Sequence, residues 1–533
     1  MNSLKLTFTR ARPPENCLLE APRNSYQTEA LDLLAMSDDL AAKNPGLAES
    51  FNEWRNTVER FLKEPASDDL ATERRLEEIS LDFRSLWIDC AQSLVAGELK
   101  SPPYNHLPLL PLSPSLHFNY ERVISARQLQ DKAQGSASKV SGWNLEVSAF
   151  GSGMAAITTV ITVLRFKKDN FARADGLPLK MEMFGGYYET EYLFDLLTSS
   201  ELECRVAADQ EGFLSRFASG ETDFLFLELI AYDWIQSLLD PVNLLGALAQ
   251  RPADRPWVLI LDVTLLGPTF DVGVLLAACK DRKPVAVLEI RSGLKLDQVG
   301  LEFSNVGVVK VWTPEDLDVE AYPVVARLNA LLVNKRKLLG NGLSLSQLAI
   351  LDAPWIFCKD LAVQHSQYVF DNNRRLALAL VSVPKGVTGI FARINHPCLG
   401  AQQELSWAES PLVVLELREQ SKEDVCLLEA VLDYEVRKRK LVVCHGGSFG
   451  FRHHRWEIIE PKYQYKRAGK ELLTYLKVAM GSRTGPSLHG MILLLQELAA
   501  YPDMQALRAA YPDVKVRAKL AAFPDLQSLR KNR

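Results

Sequence analysis

The chain has 533 residues, more than one compact core usually needs, so two or three structural units are expected. Apolar residues make up 47% of the chain and charged residues 24%, a composition typical of a globular protein and not of a disordered or membrane protein. The formal net charge is −5, and long runs of Lys or Arg are absent from the sequence, which argues against a nucleic-acid partner. The first residues contain no continuous apolar stretch, so we expect neither a secretory signal nor a membrane-spanning helix, and a cytoplasmic location.

Cysteine and histidine, the residues that most often build disulfides and metal sites, are scattered along this sequence. The eight cysteines show no spacing typical of a zinc site or a disulfide framework, so reduced thiols are expected. Of the eight histidines, only His453 and His454 are adjacent, and neighbouring residues rarely bind one metal together. We therefore expect no metal site.

The first 115 residues are predicted to form helices followed by a linker. One apolar stripe at three- and four-residue steps consists of Phe51, Trp54, Val58 and Phe61. A second helical pattern covers residues 70–97. Residues 101–115 (SPPYNHLPLLPLSPS) are rich in proline, which supplies no backbone donor, and predict a linker or extended arm.

Residues 145–312 contain short apolar runs that alternate with helix-length segments. These runs are LKMEMF, DFLFLELI, WVLILDV, PVAVLEI and NVGVVKVW. Continuous apolarity indicates strands buried on both faces, and the alternation with helices predicts a mostly parallel sheet covered by helices. A helical connection at 322–350 and further strands near 411–418, 440–444 and 473–480 predict a smaller α+β unit. We expect a large α/β domain over 116–335 and a small domain over 336–533.

The segment AFGSGMAAITTVITVL (149–164) leads from a predicted strand into an apolar helix. Glycines in such a turn let backbone N–H groups approach a phosphate at the helix N-terminus. Gly151, Gly153 and Ala156 also satisfy the glycine pattern of a dinucleotide-binding turn, and a tight packing turn without a ligand has the same appearance. This motif alone supports the three interpretations equally.

Two charged residues follow neighbouring strands of the predicted sheet. Asp262 ends the apolar strand VLILD, at the edge where open α/β sheets bind ligands, although for this residue alone a helix cap or surface turn is the slightly better explanation. Lys295 comes just after the next apolar strand, where a lysine is usually a solvated loop residue. In combination, a glycine turn, an acid and a lysine in this order are the parts that pyridoxal 5′-phosphate (PLP) needs: a phosphate cup, a pyridinium partner and a Schiff-base amine.

The same region resembles the cystathionine γ-synthase and γ-lyase group, the Cys/Met-metabolism branch of fold-type I PLP enzymes. The segments that carry the resemblance are SGMAA (152–156), FGGYYETEYLF (184–194), LDVT (261–264) and SGLK (292–295). It covers about 118–312 well and the C-terminal region weakly. The resemblance implies an α/β, aspartate-aminotransferase-like fold, here with an extra helical N-terminal region, and PLP as the cofactor.

The resemblance also implies roles for individual residues. Lys295 would hold the cofactor and take the Cα proton of the substrate, while Asp262 would keep the pyridine nitrogen protonated. The other implied cofactor contacts are Gly153, Met154 and Ser292 at the phosphate, Phe184 on the ring face, and Tyr232 or Asp233 near the phenolic oxygen.

Tyr120-Glu121-Arg122 resembles the family's Tyr-x-Arg segment, whose side chains reach the phosphate bound by the neighbouring subunit. The resemblance therefore implies a homodimer or homotetramer in which Tyr120 and Arg122 complete the partner's active site.

Several positions depart from the family pattern, and they concern the substrate more than the fold. Phe184 stands where a tyrosine is usual, and Tyr187 or Tyr188 would have to supply the phenol. Lys477 stands where the family has the arginine that binds the substrate carboxylate, and lysine lacks the bidentate fork of arginine. Arg483 is the first substitute for that arginine, followed by Arg452 and Arg455, although simple solvation explains these basic residues equally well.

The leading functional hypothesis is β- or γ-elimination or γ-replacement on an amino acid with a leaving group, such as S-adenosylmethionine or an activated homoserine, in a specialised biosynthetic pathway. An aminotransferase or a carbon–carbon bond-forming PLP enzyme is the alternative. A NAD-linked oxidoreductase fits less well because no acid ends a strand about 20 residues after the glycines.

Overall fold

The computed structural model describes most of the chain. The described residues are 26–65, 67–103, 110–113, 116, 118–165, 177–232, 235–279, 284–381, 389–399, 407–419, 421–459 and 474–514. The first 25 residues, residues 104–109, 114 and 115 of the predicted linker, and Asp233 lie outside them. Within the described residues, no helix is both long enough and apolar enough to cross a membrane.

Three helices form the N-terminal region: α1 (Tyr26–Lys43), α2 (Gly46–Lys63) and α3 (Leu70–Val95). The predicted stripe of α2 is buried, and its Phe51 packs against Phe83 of α3 with ring centroids 5.8 Å apart. Phe83 also lies 5.8 Å from the ring of Trp355, far along the chain. Because one apolar core joins the three helices to residues 299–306 and 343–357, the N-terminal region is packed on the rest of the protein.

The central element is a seven-stranded sheet with strand order β1-β7-β6-β5-β4-β2-β3. Its strands are β1 (Trp143–Phe150), β2 (Leu179–Phe184), β3 (Leu202–Val206), β4 (Phe224–Leu227), β5 (Val258–Asp262), β6 (Ala286–Ser292) and β7 (Gly307–Pro314). Strands β2 to β6 run parallel, and β7 is antiparallel to both of its neighbours. Helix α4 (Arg127–Gly135) precedes β1, and the helices between the strands are α5 (Gly153–Arg165), α6 (Tyr188–Leu197), α7 (Gln210–Ala218), α8 (Pro241–Gln250) and α9 (Val272–Ala278). The predicted mostly parallel sheet is confirmed.

The apolar runs form strands because both faces of this sheet are covered. Along β5, Leu259 and Leu261 point into one apolar core, and Val258 and Ile260 point into another on the opposite face. Continuous apolarity is the pattern expected of a strand buried on both sides. The parallel strands therefore end at one common edge, where the polar ends of β5 and β6 lie side by side.

A second, five-stranded sheet has the order β10-β11-β12-β9-β8. Its strands are β8 (Phe391–Asn395), β9 (Val413–Leu417), β10 (Val443–His445), β11 (His454–Ile459) and β12 (Tyr475–Ala479). The remaining helices are α10 (Leu328–Leu339), α11 (Leu345–Leu351), α12 (Lys359–Val381), α13 (Lys422–Lys438), α14 (Pro486–Ala499) and α15 (Met504–Ala510). The domain boundary expected at 335 falls inside α10, and the division into domains stays a prediction.

Candidate active site

A cavity of about 430 Å³ lies at the carboxyl edge of the large sheet. The start of α5, the turns after β5 and β6, the loop 447–449 and strand β12 all contribute to its lining. This volume falls in the range of small-molecule sites, roughly 300–1,000 Å³. The cavity brings together most of the residues that the sequence singles out.

One end of the cavity is formed by the N-terminus of α5, which begins at Gly153. A Cβ atom at Gly153 would lie 3.0 Å from the Cβ of Ser292, so the helix start is pressed against the end of β6. Met154 and Ser292 line the same end. Backbone N–H groups and the positive end of the helix dipole favour an anion here, and this end therefore suits a phosphate group.

Asp262 reaches the cavity from the last position of β5. Its Oδ1 accepts a hydrogen bond from the backbone N–H of Thr264 (2.9 Å), and the Oγ1 of Thr264 accepts one from the N–H of Ser292 (3.0 Å). Burial raises the pKa of Asp262 above its ordinary value. A cationic ring nitrogen beside it would offset the cost of burying the ionised carboxylate. Asp262 therefore fits the role of a pyridinium partner.

Lys295 lines the cavity from the turn after β6, and its Nζ contacts the Oγ of Ser448. The Nζ also lies 5.5 Å from the centroid of the Phe449 ring. Burial, together with the positive charges of Lys477 and Arg455, lowers the pKa of Lys295 to about 8. The neutral, nucleophilic form of this amine is therefore more populated near neutral pH than that of an ordinary lysine.

The loop after β10 (residues 446–450) was not predicted as part of the site, and it packs directly on Lys295. A Cβ atom at Gly450 would lie 2.5 Å from the carbonyl oxygen of Lys295. Both Gly450 (φ 82°) and Ser448 (φ 73°) have left-handed backbone conformations, which are unfavourable for a serine. The glycine-rich run HGGSFG was the available signal, since such a run permits close approach of backbone to a ligand or a side chain.

Aromatic side chains cover another wall of the cavity. The ring centroids of Tyr187 and Tyr188 are 4.6 Å apart, those of Tyr187 and Tyr232 are 5.3 Å apart, and those of Tyr232 and Phe449 are 6.2 Å apart. Glu228, just after β4, accepts hydrogen bonds from the backbone N–H of Tyr187 and of Tyr232, both at 2.9 Å. Glu228 therefore holds the Tyr187 and Tyr232 segments in place. Glu228 was not singled out from the sequence, although an acid directly after a buried strand could have indicated a site residue.

Phe184 does not belong to this wall. It ends β2 but is buried behind the cavity, with its ring centroid 5.5 Å from that of Phe213. The prediction that Phe184 covers the cofactor ring does not fit this placement. Tyr187 and Tyr188, which the sequence offered as replacements, are the aromatic residues of this segment that line the cavity.

At the far end, Lys477 of β12 lines the cavity as expected from the sequence. Its Nζ contacts the carboxylate of Glu457, directly opposite on β11, and lies 3.3 Å from the hydroxyl oxygen of Tyr232. Burial alone would lower the pKa of Lys477, but Tyr232 and Glu457 outweigh it and the pKa is raised. Lys477 is therefore a charged group whose charge is already balanced.

Arg483, the other residue expected at the substrate carboxylate, lies outside the cavity. It is 1% exposed, and its guanidinium binds Glu29 of α1 through Nη2 (2.8 Å) and Nε (2.9 Å). It also contacts Glu77 of α3. The expected role of Arg483 at the substrate carboxylate does not fit this placement, because its guanidinium is engaged with carboxylates of the N-terminal helices.

The alternative arginines are also engaged elsewhere. Arg452 bonds the carbonyl oxygen of Val299 (2.9 Å) and pairs with Glu29 (3.2 Å). Arg455 pairs with Glu302 (2.9 Å) and donates to the carbonyl oxygen of Gly447 (3.0 Å). Of the residues predicted to bind the substrate carboxylate, all of which lie in the described part of the chain, only Lys477 lines the cavity.

Tyr120 and Arg122 are exposed and do not line the cavity of their own chain. The guanidinium of Arg122 lies 5.2 Å from the ring centroid of Tyr120. Glu121 between them accepts hydrogen bonds from Lys100 Nζ (2.7 Å) and the backbone N–H of Leu345 (3.0 Å). The segment is thus anchored with both flanking side chains on the surface.

No protein-family model and no curated protein matches this sequence. Solved structures do resemble it. They include the metB protein of Corynebacterium glutamicum (15% identity, TM-score 0.51, 76% of this chain and 91% of that chain) and cystathionine gamma-lyase from yeast (14%, 0.50, 78% and 98%). An O-acetylhomoserine (thiol)-lyase from Campylobacter jejuni, whose structure contains N′-pyridoxyl-lysine-5′-monophosphate, is also similar (16%, 0.51, 72% and 89%).

The chain has the fold of these proteins. The predicted fold class is therefore confirmed, including the mostly parallel sheet and the extra N-terminal helices. At sequence identities of 14% to 16%, this similarity shows a shared fold and nothing more.

Proposed function

We propose that this protein is a PLP-dependent enzyme that carries the cofactor on Lys295. The observation that supports this most strongly is the meeting of three groups in one cavity: the N-terminus of α5, the Asp262 carboxyl and the Lys295 amine. These are the groups needed by the phosphate, the pyridine nitrogen and the aldehyde of PLP. The fold neighbours support the proposal, since one of them contains a pyridoxyl-lysine phosphate.

Each residue then has a definite task. Gly153, Met154 and Ser292 bind the phosphate, and Asp262 balances the charge of the ring nitrogen. When bound, PLP supplies the electron sink that makes removal of the substrate's Cα proton feasible. Lys295, with a pKa of about 8, accepts that proton at its Nζ, and Ser448 orients the amine.

The proposed reaction is β- or γ-elimination or γ-replacement on an amino acid that carries a leaving group. A cystathionine gamma-lyase and an O-acetylhomoserine (thiol)-lyase are among the fold neighbours, which supports this class. Lys477 is the proposed contact for the substrate carboxylate, in place of the arginine of the resembling family. Because Glu457 shares that lysine, we expect weaker binding of simple amino acids than an unopposed arginine would give.

The substrate-facing charges favour a cationic leaving group over an acyl ester. Glu189 lines the cavity beside the aromatic rings of Tyr187, Tyr232 and Phe449, whereas the charge of Glu457 is balanced by Lys477. Aromatic faces and carboxylates together stabilise a cation. A sulfonium such as that of S-adenosylmethionine fits this lining, and it departs as a neutral thioether. An activated homoserine is the second candidate.

We further propose a homodimer in which Tyr120 and Arg122 bind the phosphate held by the other subunit. Their exposure and their absence from the lining of the chain's own cavity support this arrangement.

The cofactor is tested by the absorbance spectrum of the purified protein and by borohydride reduction followed by peptide mass spectrometry. We expect visible absorbance and a pyridoxyl adduct on Lys295. Lys295→Ala should lose both, while Lys438→Ala, at an exposed lysine, should keep both. A Lys295→Ala protein with unchanged visible absorbance and activity would refute the proposal. A tightly bound nicotinamide nucleotide in the purified protein would instead support the NAD-linked oxidoreductase.

The substrate is tested by incubating the holoenzyme separately with S-adenosylmethionine and O-acetylhomoserine and following leaving-group release. We expect release from S-adenosylmethionine, and Glu189→Gln should lower the rate with this substrate more than with O-acetylhomoserine. Conversion of the cofactor to pyridoxamine phosphate without release of a leaving group would indicate an aminotransferase.

A further inference from the structure

One polar side chain of the cofactor cavity has no task in the proposed reaction. Asn305 lies in the loop between β6 and β7, lines the cavity and is exposed. Its backbone carbonyl oxygen accepts a hydrogen bond from the side chain of Gln347 (3.1 Å). Its side-chain amide makes no hydrogen bond to any other described residue. The amide therefore keeps two N–H donors for a ligand in the cavity.

The side chain of Gln347 ties the Asn305 loop to the turn that leads into α5. Its Nε2 atom donates to the carbonyl oxygen of Asn305 and also to that of Gly151 (3.3 Å). Gly151 precedes Gly153, the first residue of α5, by two positions. Gln347 is itself held in a capping box with Ser344 at the start of α11. The loop that carries Asn305 is therefore fixed beside the N-terminus of α5.

Strand β7 holds the same loop at the phosphate end of the cavity from the other side. Gly307, at the start of β7, lies between Phe150 of β1 and Ser292 of β6 in the sheet. A Cβ atom at Gly307 would overlap the backbone of Ser152, so this strand end is pressed against the turn before α5. Asn305 comes two residues before Gly307 and lines the cavity together with Ser152 and Ser292. These three side chains therefore share the end of the cavity that suits a phosphate.

The phosphate end offers few other side-chain donors. Ser292 lines it, and the Oγ of Ser152 already caps α5 by accepting from the N–H of Ala155 (3.1 Å). The two residues after Ser292 are Gly293 and Leu294, which supply no hydroxyl. A phosphate group presents three strong acceptor oxygens. An uncommitted amide at this end therefore matches the chemistry of the group expected there.

We propose that the side-chain amide of Asn305 donates a hydrogen bond to the phosphate of the cofactor and makes the site selective for the phosphorylated form. This role rests on the proposed function, because it concerns the phosphate of PLP. The substrate carboxylate is the other anion expected in the cavity, but its proposed contact, Lys477, lines the far end.

The test is an equilibrium titration of the cofactor-free protein with PLP and, separately, with pyridoxal, which lacks the phosphate. Binding is followed by absorbance, and no turnover is needed. Asn305→Ala should weaken PLP binding by about tenfold, the factor expected for one hydrogen bond to a charged group, and leave pyridoxal binding unchanged. Asn305→Asp should weaken PLP binding further, because it places a negative charge beside the phosphate, and should again spare pyridoxal.

Asn144→Ala is the matched control, since Asn144 is an exposed asparagine of β1 that does not line the cavity. It should bind both compounds as the unaltered protein does. The thermal unfolding midpoints of Asn305→Ala and Asn144→Ala should agree, because the Asn305 amide has no bond to another described residue that its removal would break.

Two results would overturn the role of Asn305 while leaving the proposed function in place. Unchanged PLP binding by Asn305→Ala would show a solvated loop residue, and equal weakening of PLP and pyridoxal would show an effect away from the phosphate. If the unaltered protein binds neither compound, the proposed function itself is wrong and the role of Asn305 falls with it.

Discussion

Arg483 provides the sharpest test of how the N-terminal helices are attached. Its guanidinium, 1% exposed, spans Glu29 of α1 and Glu77 of α3. Arg483→Met keeps the volume of the side chain but leaves both carboxylates buried. Glu29 retains Arg452 at 3.2 Å, and Glu77 retains His453 at 3.2 Å, so neither is fully abandoned. Removing one partner of a buried ion pair costs about 3–5 kcal/mol, and we expect a loss in this range.

The assay is equilibrium unfolding in urea, followed by the fluorescence of Trp54 and Trp87 in α2 and α3. Arg75→Met is the matched control, since Arg75 of α3 pairs at the surface with Glu64, the residue after α2, with side chains 42% and 50% exposed. An exposed pair of this kind contributes about 0–1 kcal/mol. If Arg483→Met and Arg75→Met lower the free energy of unfolding by the same amount, the buried network does not anchor the helices.

The same network gives the pH dependence of this stability. Burial alone would raise the pKa of Glu29, but Arg483 and Arg452 outweigh it and hold the pKa below its ordinary value. A carboxyl with a lowered pKa contributes stability that is present above the unfolded value, about 4.3, and is lost as the pH falls through the folded value. Arg483→Met should therefore show a weaker loss of stability on acidification than the unaltered protein.

Two further predictions concern the cofactor cavity. Gly153→Ala should weaken PLP binding by about 1–3 kcal/mol in an equilibrium titration of the apoprotein, because the new Cβ lies 3.0 Å from that of Ser292. Gly246→Ala, where a Cβ meets nothing within 4 Å, should leave binding unchanged, and equal effects would contradict the packing argument. Acylation of Lys295 in the apoprotein should rise with a midpoint near pH 8. Lys477→Met should move that midpoint upward, because it removes a neighbouring positive charge, and an unmoved midpoint would exclude this cause.

The sequence predicts well those parts of the fold whose cause is local. The run LKMEMF forms β2 over the predicted residues, and the runs around Asp262 and Lys295 form β5 and β6. The apolar run of each strand indicates by itself that the strand is buried on both faces, and neighbouring parallel strands end at the same edge of the sheet. The order of the glycine turn, Asp262 and Lys295 was therefore enough to place three groups in one cavity.

The sequence fails where a residue's role depends on distant partners. Phe184 and Tyr187 differ by only three positions, yet the end of β2 turns one into the core and the other toward the cavity. Strand β11 was missed because the run HRWEII begins with the polar residues His454 and Arg455, and the partner of Arg455 is Glu302, far away in the sequence. Arg483 is separated from Glu29 by 454 positions, and no local pattern indicates that pairing.

The long-range contacts also explain why an extra helical region accompanies this fold. Glu77 of α3 binds His453 at 3.2 Å, and the Nε2 atom of His453 accepts from Arg455 at 2.8 Å. Arg455 in turn holds the carbonyl oxygen of Gly447, next to the serine that contacts Lys295.

Arg84, also on α3, donates to the carbonyl oxygen of Glu302 at 2.7 Å, in the loop that follows the cofactor turn. Helix α3 is thus connected to the candidate active site by two routes, through the 446–450 loop and through residues 301–302. A region that lies outside the resemblance in sequence is therefore part of the support of the proposed catalytic lysine. Because the strained conformation of Ser448 must be imposed by its surroundings, removal of these helices should release the loop before it unfolds the sheet.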